Sequence, residues 1–113
     1  MRDNKAYVYI LKVNSDGIYK VGVSKNVERR VKQLQTGNPE PIEIVKTFLS
    51  EYPYKIESLL HRRFKRNQVQ GECYYLSEQD IQTFEENCAI SERNLSIMEE
   101  MEYMNYKVKS RLR

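Results

Sequence analysis

The stretch AYVYILKVNSDGIYKVGVS (residues 6–24) predicts a β-hairpin, and this hairpin decides the fold. Its first part, Ala6–Val13, carries β-branched and aromatic residues on both faces, which is typical of a strand covered on both sides. The next four residues, Asn14–Gly17 (NSDG), are strong turn formers, and Ile18–Ser24 has the composition of a second strand. The N-terminal part of the chain is therefore predicted to form two antiparallel strands joined by a tight turn.

The turn limits how these two strands can pair. A loop of two or four residues in this turn pairs positions whose numbers add to an odd value, and directly opposed residues share a face of the sheet. Tyr9 is therefore expected on the same face as Lys20 and Gly22, where the glycine leaves room for a ligand. The alternative is that Tyr9 is an amphipathic core residue with its hydroxyl at the rim.

The sequence after the hairpin predicts a helix that is capped by Asn26 and runs to about Thr36. At 100° per residue, Arg30 lies about 60° from the centre of its apolar face and Arg29 about 160° away. Arg30 is therefore expected to lean over the sheet towards Tyr9, or to snorkel along the edge of the core, while Arg29 points to solvent.

The remaining patterns complete an α+β fold, a small antiparallel three-stranded sheet flanked by helices. They predict a third strand at Ile42–Leu49, a second helix at Pro53–Arg66 and a short extended segment at Cys73–Leu76. A third helix is predicted to begin at Ser77, and a C-terminal helix at Ser91–Leu112. We divide the chain into a domain (residues 1–88) and a C-terminal helical extension (residues 89–113). The apolar residues of the extension could pack on the domain or form a homodimer seam: Leu95, Met98, Met101, Val108 and Leu112.

Glu57 and His61 lie one helical turn apart in the second predicted helix, on the flank of its apolar stripe. A carboxylate at such a boundary could ligate a hard metal ion. The alternative is a surface Glu–His pair, which contributes only a few tenths of a kcal/mol. His61 is the single histidine of the chain, so a histidine-rich metal site is excluded.

The composition is that of an ordinary single domain. The 113 residues are 40% hydrophobic and 31% charged, enough for one core and too few for two. No apolar run approaches the ~20 residues that span a bilayer, and residues 1–4 do not begin a signal peptide, so we expect no membrane association. Two cysteines, Cys73 and Cys88, cannot form a disulfide framework, which favours the reducing cytoplasm.

Charge is distributed unevenly along the chain. The net charge is only +3, but residues 1–66 hold 14 Lys and Arg against 7 Asp and Glu, whereas residues 67–113 hold 5 against 9. The basic part predicts a polyanionic partner, and an unevenly charged solvated surface is the alternative.

Several separated motifs resemble one family. The order Tyr7-Val8-Tyr9, Lys20-Val21-Gly22, Arg30 and a helical Glu57 is similar to that of the GIY-YIG endonuclease superfamily. Its phage-type branch, often labelled a phage or meiotically up-regulated DNA-binding domain, resembles the chain more specifically in GIYKVGVSKNVERRVKQLQTGNP (17–39), ESLLHRRF (57–64) and GECYYL (71–76). This resemblance implies a metal-dependent endonuclease that nicks or cuts DNA.

The resemblance also implies roles position by position. Tyr9 matches the tyrosine of the GIY element, Arg30 the catalytic arginine, and Glu57 the glutamate that holds the single divalent metal. Lys20 stands where the YIG tyrosine is usual, and His61 resembles the histidine typical of the branch. Tyr7 replaces the GIY glycine, and Tyr19 directly precedes Lys20. The candidate catalytic residues are therefore Tyr7, Tyr9, Tyr19, Lys20, Arg30, Glu57 and His61.

Phosphodiester hydrolysis would use these residues as follows. Glu57 would bind one Mg²⁺ or Mn²⁺, and Arg30 would clamp a non-bridging phosphate oxygen. Either Tyr9 or Lys20 would be the general base, and for Tyr9 this requires a pKa lowered by the neighbouring cations and the metal.

Nucleic acid would contact the basic surface around this group, mainly through phosphates. DNA is the expected partner and RNA is not excluded. Two other functions fit the same fold: a nucleic-acid-binding module without catalytic activity, and an interaction or inhibitor protein. The predicted phosphate contacts are Lys25, Arg29, Lys32, Arg62, Arg63, Lys65 and Arg66.

Overall fold

The computed structural model of the chain describes residues 4–111, and it is an α+β fold. The strands are β1 (Ala6–Lys12), β2 (Ile18–Ser24), β3 (Glu43–Ser50), β4 (Gln68–Gln70) and β5 (Cys73–Tyr75). The helices are α1 (Val27–Gln35), α2 (Pro53–Arg63), α3 (Glu78–Gln82) and α4 (Phe84–Arg111), and a 3₁₀ turn (Lys65–Asn67) follows α2.

The sheet has five strands in the order β3-β1-β2-β5-β4, and every neighbouring pair is antiparallel. The prediction of three strands is therefore wrong, although the α+β class is confirmed. The predicted extended segment Cys73–Leu76 is strand β5, which the prediction did not count as part of the sheet. Strand β4 was not predicted, because three residues are too short to show the alternation of apolar and polar residues that marks a strand.

The two strands of the hairpin pair in the predicted register, with residue numbers that add to an odd value. Tyr9 lies opposite Gly22, and Leu11 lies opposite Lys20. A four-residue loop joins the strands: the Val13 amide donates to the Ile18 carbonyl across it, at 3.2 Å. The NSDG turn forms as its composition suggests, because the Asn14 side-chain oxygen accepts hydrogen bonds from the Asp16 and Ile18 amides.

The two faces of the sheet carry separate apolar clusters. Val8 and Ile10 of β1 pack with Ile56 of α2 on one face, and α4 adds residues to the same cluster. Tyr9 and Leu11 pack with α1 on the other face. Since successive residues of a strand point to opposite faces, α1 and α2 cover opposite sides of the sheet.

The helix α4 is one continuous element, and the division proposed between residues 88 and 89 falls inside it. The side chain of Cys88 is fully buried, and Leu95 packs against the same core. Met98, Met101 and Val108 are exposed, so Leu95 is the one member of this apolar set that the described residues show packed on the domain. Leu112 lies outside the described residues. Across residues 4–111, no helix is long and apolar enough to cross a bilayer.

Cys88 is expected to resist thiol reagents in the folded protein. Its side chain is inaccessible, and burial raises its pKa to about 12, so hardly any reactive thiolate forms at neutral pH. In a Cys73→Ser variant, a coloured disulfide reagent should therefore titrate one thiol only after denaturant is added. Rapid reaction of that variant in native buffer would contradict this packing of α4.

Candidate active site

Tyr9 lies opposite Gly22, and its ring occupies the space that the glycine leaves. A Cβ atom on Gly22 would lie 2.5 Å from the Tyr9 hydroxyl oxygen and 2.7 Å from its Cζ. The prediction that Gly22 leaves room for a ligand is therefore wrong, because the phenol itself fills that room. Tyr9 is only 1% exposed, so its ring is part of the core on the α1 side of the sheet.

Arg30 reaches the Tyr9 hydroxyl from α1. The Asn26 side chain caps this helix by accepting a hydrogen bond from the Arg29 amide at 3.0 Å, as its sequence predicts. Arg29 is exposed, whereas Arg30 is half-buried and hydrogen-bonds to Tyr9 through its side chain. The predicted difference in direction between the two arginines is confirmed.

The pKa of Tyr9 is raised above its ordinary value. Burial is the largest cause; the hydrogen bond and charge of Arg30 act in the opposite direction, and the charges of Glu72 and Glu57 add to the rise. The shift is opposite to the expected lowering. Tyr9 is therefore a neutral phenol at pH 7 in this structure.

Glu57, His61 and Glu72 form the one cluster of acidic, histidine or cysteine ligands that the described part of the chain brings together. Their ligand atoms all lie within 4.8 Å of one another, and each residue is half-buried. Burial raises the pKa of Glu57; the His61 charge lowers it, and the Glu72 charge raises it again. A bound cation would relieve the cost of burying two neighbouring carboxylates, and hard oxygen donors suit Mg²⁺ or Mn²⁺. The residues therefore fit one divalent ion.

His61 is oriented by the backbone of β2. Its Nε2 lies 3.1 Å from the Val21 carbonyl oxygen and 4.0 Å from a Glu57 carboxylate oxygen, and its ring lies against that of Tyr74 with centroids 5.6 Å apart. A carbonyl only accepts hydrogen bonds, so Nε2 carries a proton here. This contact with the Val21 carbonyl fixes the orientation of the His61 ring beside Glu57.

Glu72 was missed by the sequence reasoning, which used GECYYL for the family resemblance and predicted an extended backbone for Cys73–Leu76, but gave Glu72 no role. Strand β5 pairs with β2 along Ile18–Lys20, and the Glu72 carbonyl then accepts the Val21 amide at 3.0 Å. This pairing brings the Glu72 carboxylate to 3.6 Å from the Lys20 ammonium. The signal that could have found it is an acidic residue directly after the Gly71 turn and before a short apolar run.

Tyr7 and Tyr19 are not brought to this group. Tyr7 is on the Tyr9 face but lies opposite Ser24, and it lines a separate groove with Lys25 and residues of β3. Tyr19 lies on the opposite face, where it packs against the cluster under α2. The other five candidate catalytic side chains form two groups: Tyr9 with Arg30, and Glu57 with His61, to which Lys20 is joined through its ion pair with Glu72.

The predicted phosphate-contacting residues are exposed and fall into two sets. Lys25, Arg29 and Lys32 belong to α1 and the loop before it, and a shallow groove there is lined by Lys25, Arg29 and Arg30. The second set lies at the end of α2 and in the 3₁₀ turn: Arg62, Arg63, Lys65 and Arg66.

Comparison with known families identifies the chain. The sequence model of the T5orf172 domain matches residues 6–109, and this domain stands in a superfamily of GIY-YIG-like and HNH-like nuclease-associated domains. The match supports a nuclease-like or DNA-binding role. A comparison with curated proteins found no match, and neither did a comparison with solved structures. Because the match covers nearly the whole described chain, the protein belongs to the T5orf172 domain family.

Proposed function

We propose that this protein is a metal-dependent endonuclease that hydrolyses DNA phosphodiester bonds. The observation that supports the proposal is a cluster of two carboxylates and a histidine, Glu57, Glu72 and His61, together with the buried Tyr9 phenol and its Arg30 partner. The charges of Glu72 and Glu57 raise the pKa of Tyr9, and the charge of Arg30 lowers it, so the cluster and the phenol are electrostatically coupled. The family match supports a nuclease-like role of the same kind.

Each side chain has a role in this proposal. Glu57 and Glu72 would hold one Mg²⁺ or Mn²⁺, which when bound supplies positive charge to the phosphate. Arg30 donates N–H groups to a non-bridging phosphate oxygen and so stabilises the charge that develops in the transition state. Tyr9 orients the attacking water or takes its proton, and the Arg30 hydrogen bond favours the phenolate form. Lys20 holds Glu72 in place through their ion pair.

One observation favours a second function, a DNA-binding module without catalytic activity. The Tyr9 hydroxyl is buried and its pKa is raised, which makes it a poor general base until substrate or metal changes its surroundings. The exposed basic residues beside the site would still bind phosphates. In either case both cysteines are free, which suits a cytoplasmic protein.

Cleavage of supercoiled plasmid tests the proposal directly. The protein is incubated with plasmid, single-stranded DNA or RNA in Mg²⁺, Mn²⁺ or EDTA, beside an Arg30→Ala variant. We expect nicking that needs the divalent ion and that falls about 100-fold in the variant, because one preorganised donor to the developing charge is lost.

Lys5→Ala is the matched control, because it removes an exposed cation that, among residues 4–111, forms a 3.9 Å ion pair with the exposed Glu51. Its cleavage rate should equal that of the unmodified protein. Salt-sensitive DNA binding without cleavage in any metal would contradict the nuclease and favour the binding module. Absence of both cleavage and binding would point to an interaction protein instead.

A further inference from the structure

The helix α4 leaves the domain halfway along its length. Phe84 and Cys88 are buried in the core, and Glu92 accepts hydrogen bonds from the Ser50 hydroxyl and the Glu51 amide. From residue 96 to residue 109 every described side chain is exposed except that of Glu99, which is half-buried. The described chain is 61 Å long, and its radius of gyration is 16.9 Å, against about 13 Å for a compact domain of this length.

The projecting half carries a second apolar stripe, which we call the outer stripe. Its members are separated by seven, four, three and four residues, the spacing of the inward-facing positions of a coiled coil. All are between 47 and 61% exposed. The members are Ile90, Ile97, Met101, Met104 and Val108.

The outer stripe points away from its own domain. At 100° per residue, its members lie about 140–180° around the helix from Cys88, which faces the core. The domain that α4 packs on therefore cannot cover this stripe. An isolated helix of about fifteen residues is only marginally stable in water without tertiary packing. Packing against a partner would therefore stabilise this segment.

Charges beside the outer stripe identify the partner as a second copy. Glu100 and Lys107 are one heptad apart and lie on the same flank of the stripe, whereas the other flank carries the uncharged Met98 and Asn105. If two copies pair antiparallel, with Met101 of one opposite Met104 of the other, the charged flanks meet and Glu100 lies beside Lys107 of the second copy. Two-fold symmetry forms this ion pair twice. In a parallel pair, the charged flank of each helix would lie beside the uncharged flank of the other, and neither ion pair would form.

We propose that the protein forms a homodimer through antiparallel pairing of the outer stripes of two α4 helices. The overlap covers about two heptads and buries on the order of 1,000 Å² in total, near the lower limit for a specific interface. The dimer is therefore reversible, with a dissociation constant in the micromolar range. This inference depends on the surface of α4 alone and does not require nuclease activity.

Sedimentation equilibrium of the full chain, without metal or nucleic acid, tests the dimer. We expect a concentration-dependent shift from monomer to dimer mass that Met104→Glu abolishes. Tyr106→Glu is the matched control, because Tyr106 is 72% exposed on the opposite side of the helix, and it should leave the dimer unchanged. A purely monomeric chain up to several hundred micromolar, or a dimer that survives Met104→Glu, would overturn the proposal.

Charge reversal tests the antiparallel orientation. Glu100→Lys and Lys107→Glu should each raise the dissociation constant at least about tenfold by placing like charges together, and the double variant should restore it. Far-UV circular dichroism of each variant checks that α4 stays helical. Single reversals that leave the dimer unaffected would rule out the antiparallel arrangement.

Discussion

Replacing Glu57 by glutamine is expected to slow metal-dependent DNA cleavage at least about a thousandfold. The substitution keeps the size and polarity of the side chain but removes the charge that would hold the divalent ion. Glu57 is the more enclosed of the two carboxylates, with 18% of its side chain exposed against 43% for Glu72. It also lies on α2, which is anchored to the core by Ile56 and Leu60, so its position is rigid.

The loss should not come from unfolding. Burial and the Glu72 charge raise the pKa of Glu57, and both disfavour its ionised form in the folded protein. A carboxyl with a raised pKa binds more protons when folded than when unfolded, so its contribution to stability declines as pH rises. Removing that charge at neutral pH should leave the melting temperature unchanged or higher.

Two further variants make this result specific. Glu51→Gln removes a carboxylate that is 59% exposed and pairs only with Lys5 in the described contacts, so it should cleave at the normal rate. Glu72→Gln should weaken the binding of Mn²⁺, measured from the electron paramagnetic resonance signal of the free ion, and Glu57→Gln should weaken it more. Undiminished cleavage and Mn²⁺ binding in Glu57→Gln would rule out this metal site.

The parts of the site that follow from short-range periodicity could be predicted from the sequence. Strand residues alternate with a period of two, so the parity of the turn was enough to place Tyr9 and Lys20 on one face. Helical residues advance by 100°, which was enough to separate Arg30 from Arg29. The same parity rule places Tyr19 on the opposite face of the sheet, although the family resemblance made it a candidate catalytic residue. In the structure Tyr19 packs on that opposite face, as the strand geometry indicates.

The parts that depend on long-range pairing could not be predicted. Glu72 enters the site because a three-residue strand, β5, pairs with β2 from far along the chain, and three residues carry no periodic signal. The packing of α4 could not be predicted from the sequence for a related reason. Its two apolar faces interleave in the sequence, so Leu95 of the inner face and Met101 of the outer stripe were placed in one apolar set.

The substitution Gly22→Ala is expected to cost stability and to displace Tyr9. Its new methyl group would meet the Tyr9 hydroxyl oxygen at 2.5 Å and Cζ at 2.7 Å, both far inside normal contact, while the ring is held by the core around it. Overpacking of this kind costs about 1–3 kcal/mol in the free energy of unfolding. The ring must also shift from the position in which its hydroxyl contacts Arg30, and a misplacement near 1 Å lowers an enzymatic rate about 100-fold.

Two comparisons distinguish this clash from a general effect of alanine. Gly37→Ala meets no atom within 4 Å, so its melting temperature should stay unchanged or rise slightly. In a Tyr9→Leu background the three atoms that Gly22→Ala strikes are absent, so the same substitution should cost little there, and the two effects should be strongly non-additive in a double-mutant cycle. Equal losses of stability with and without the tyrosine ring would show that Gly22 acts on the backbone of β2 and not by making room for Tyr9.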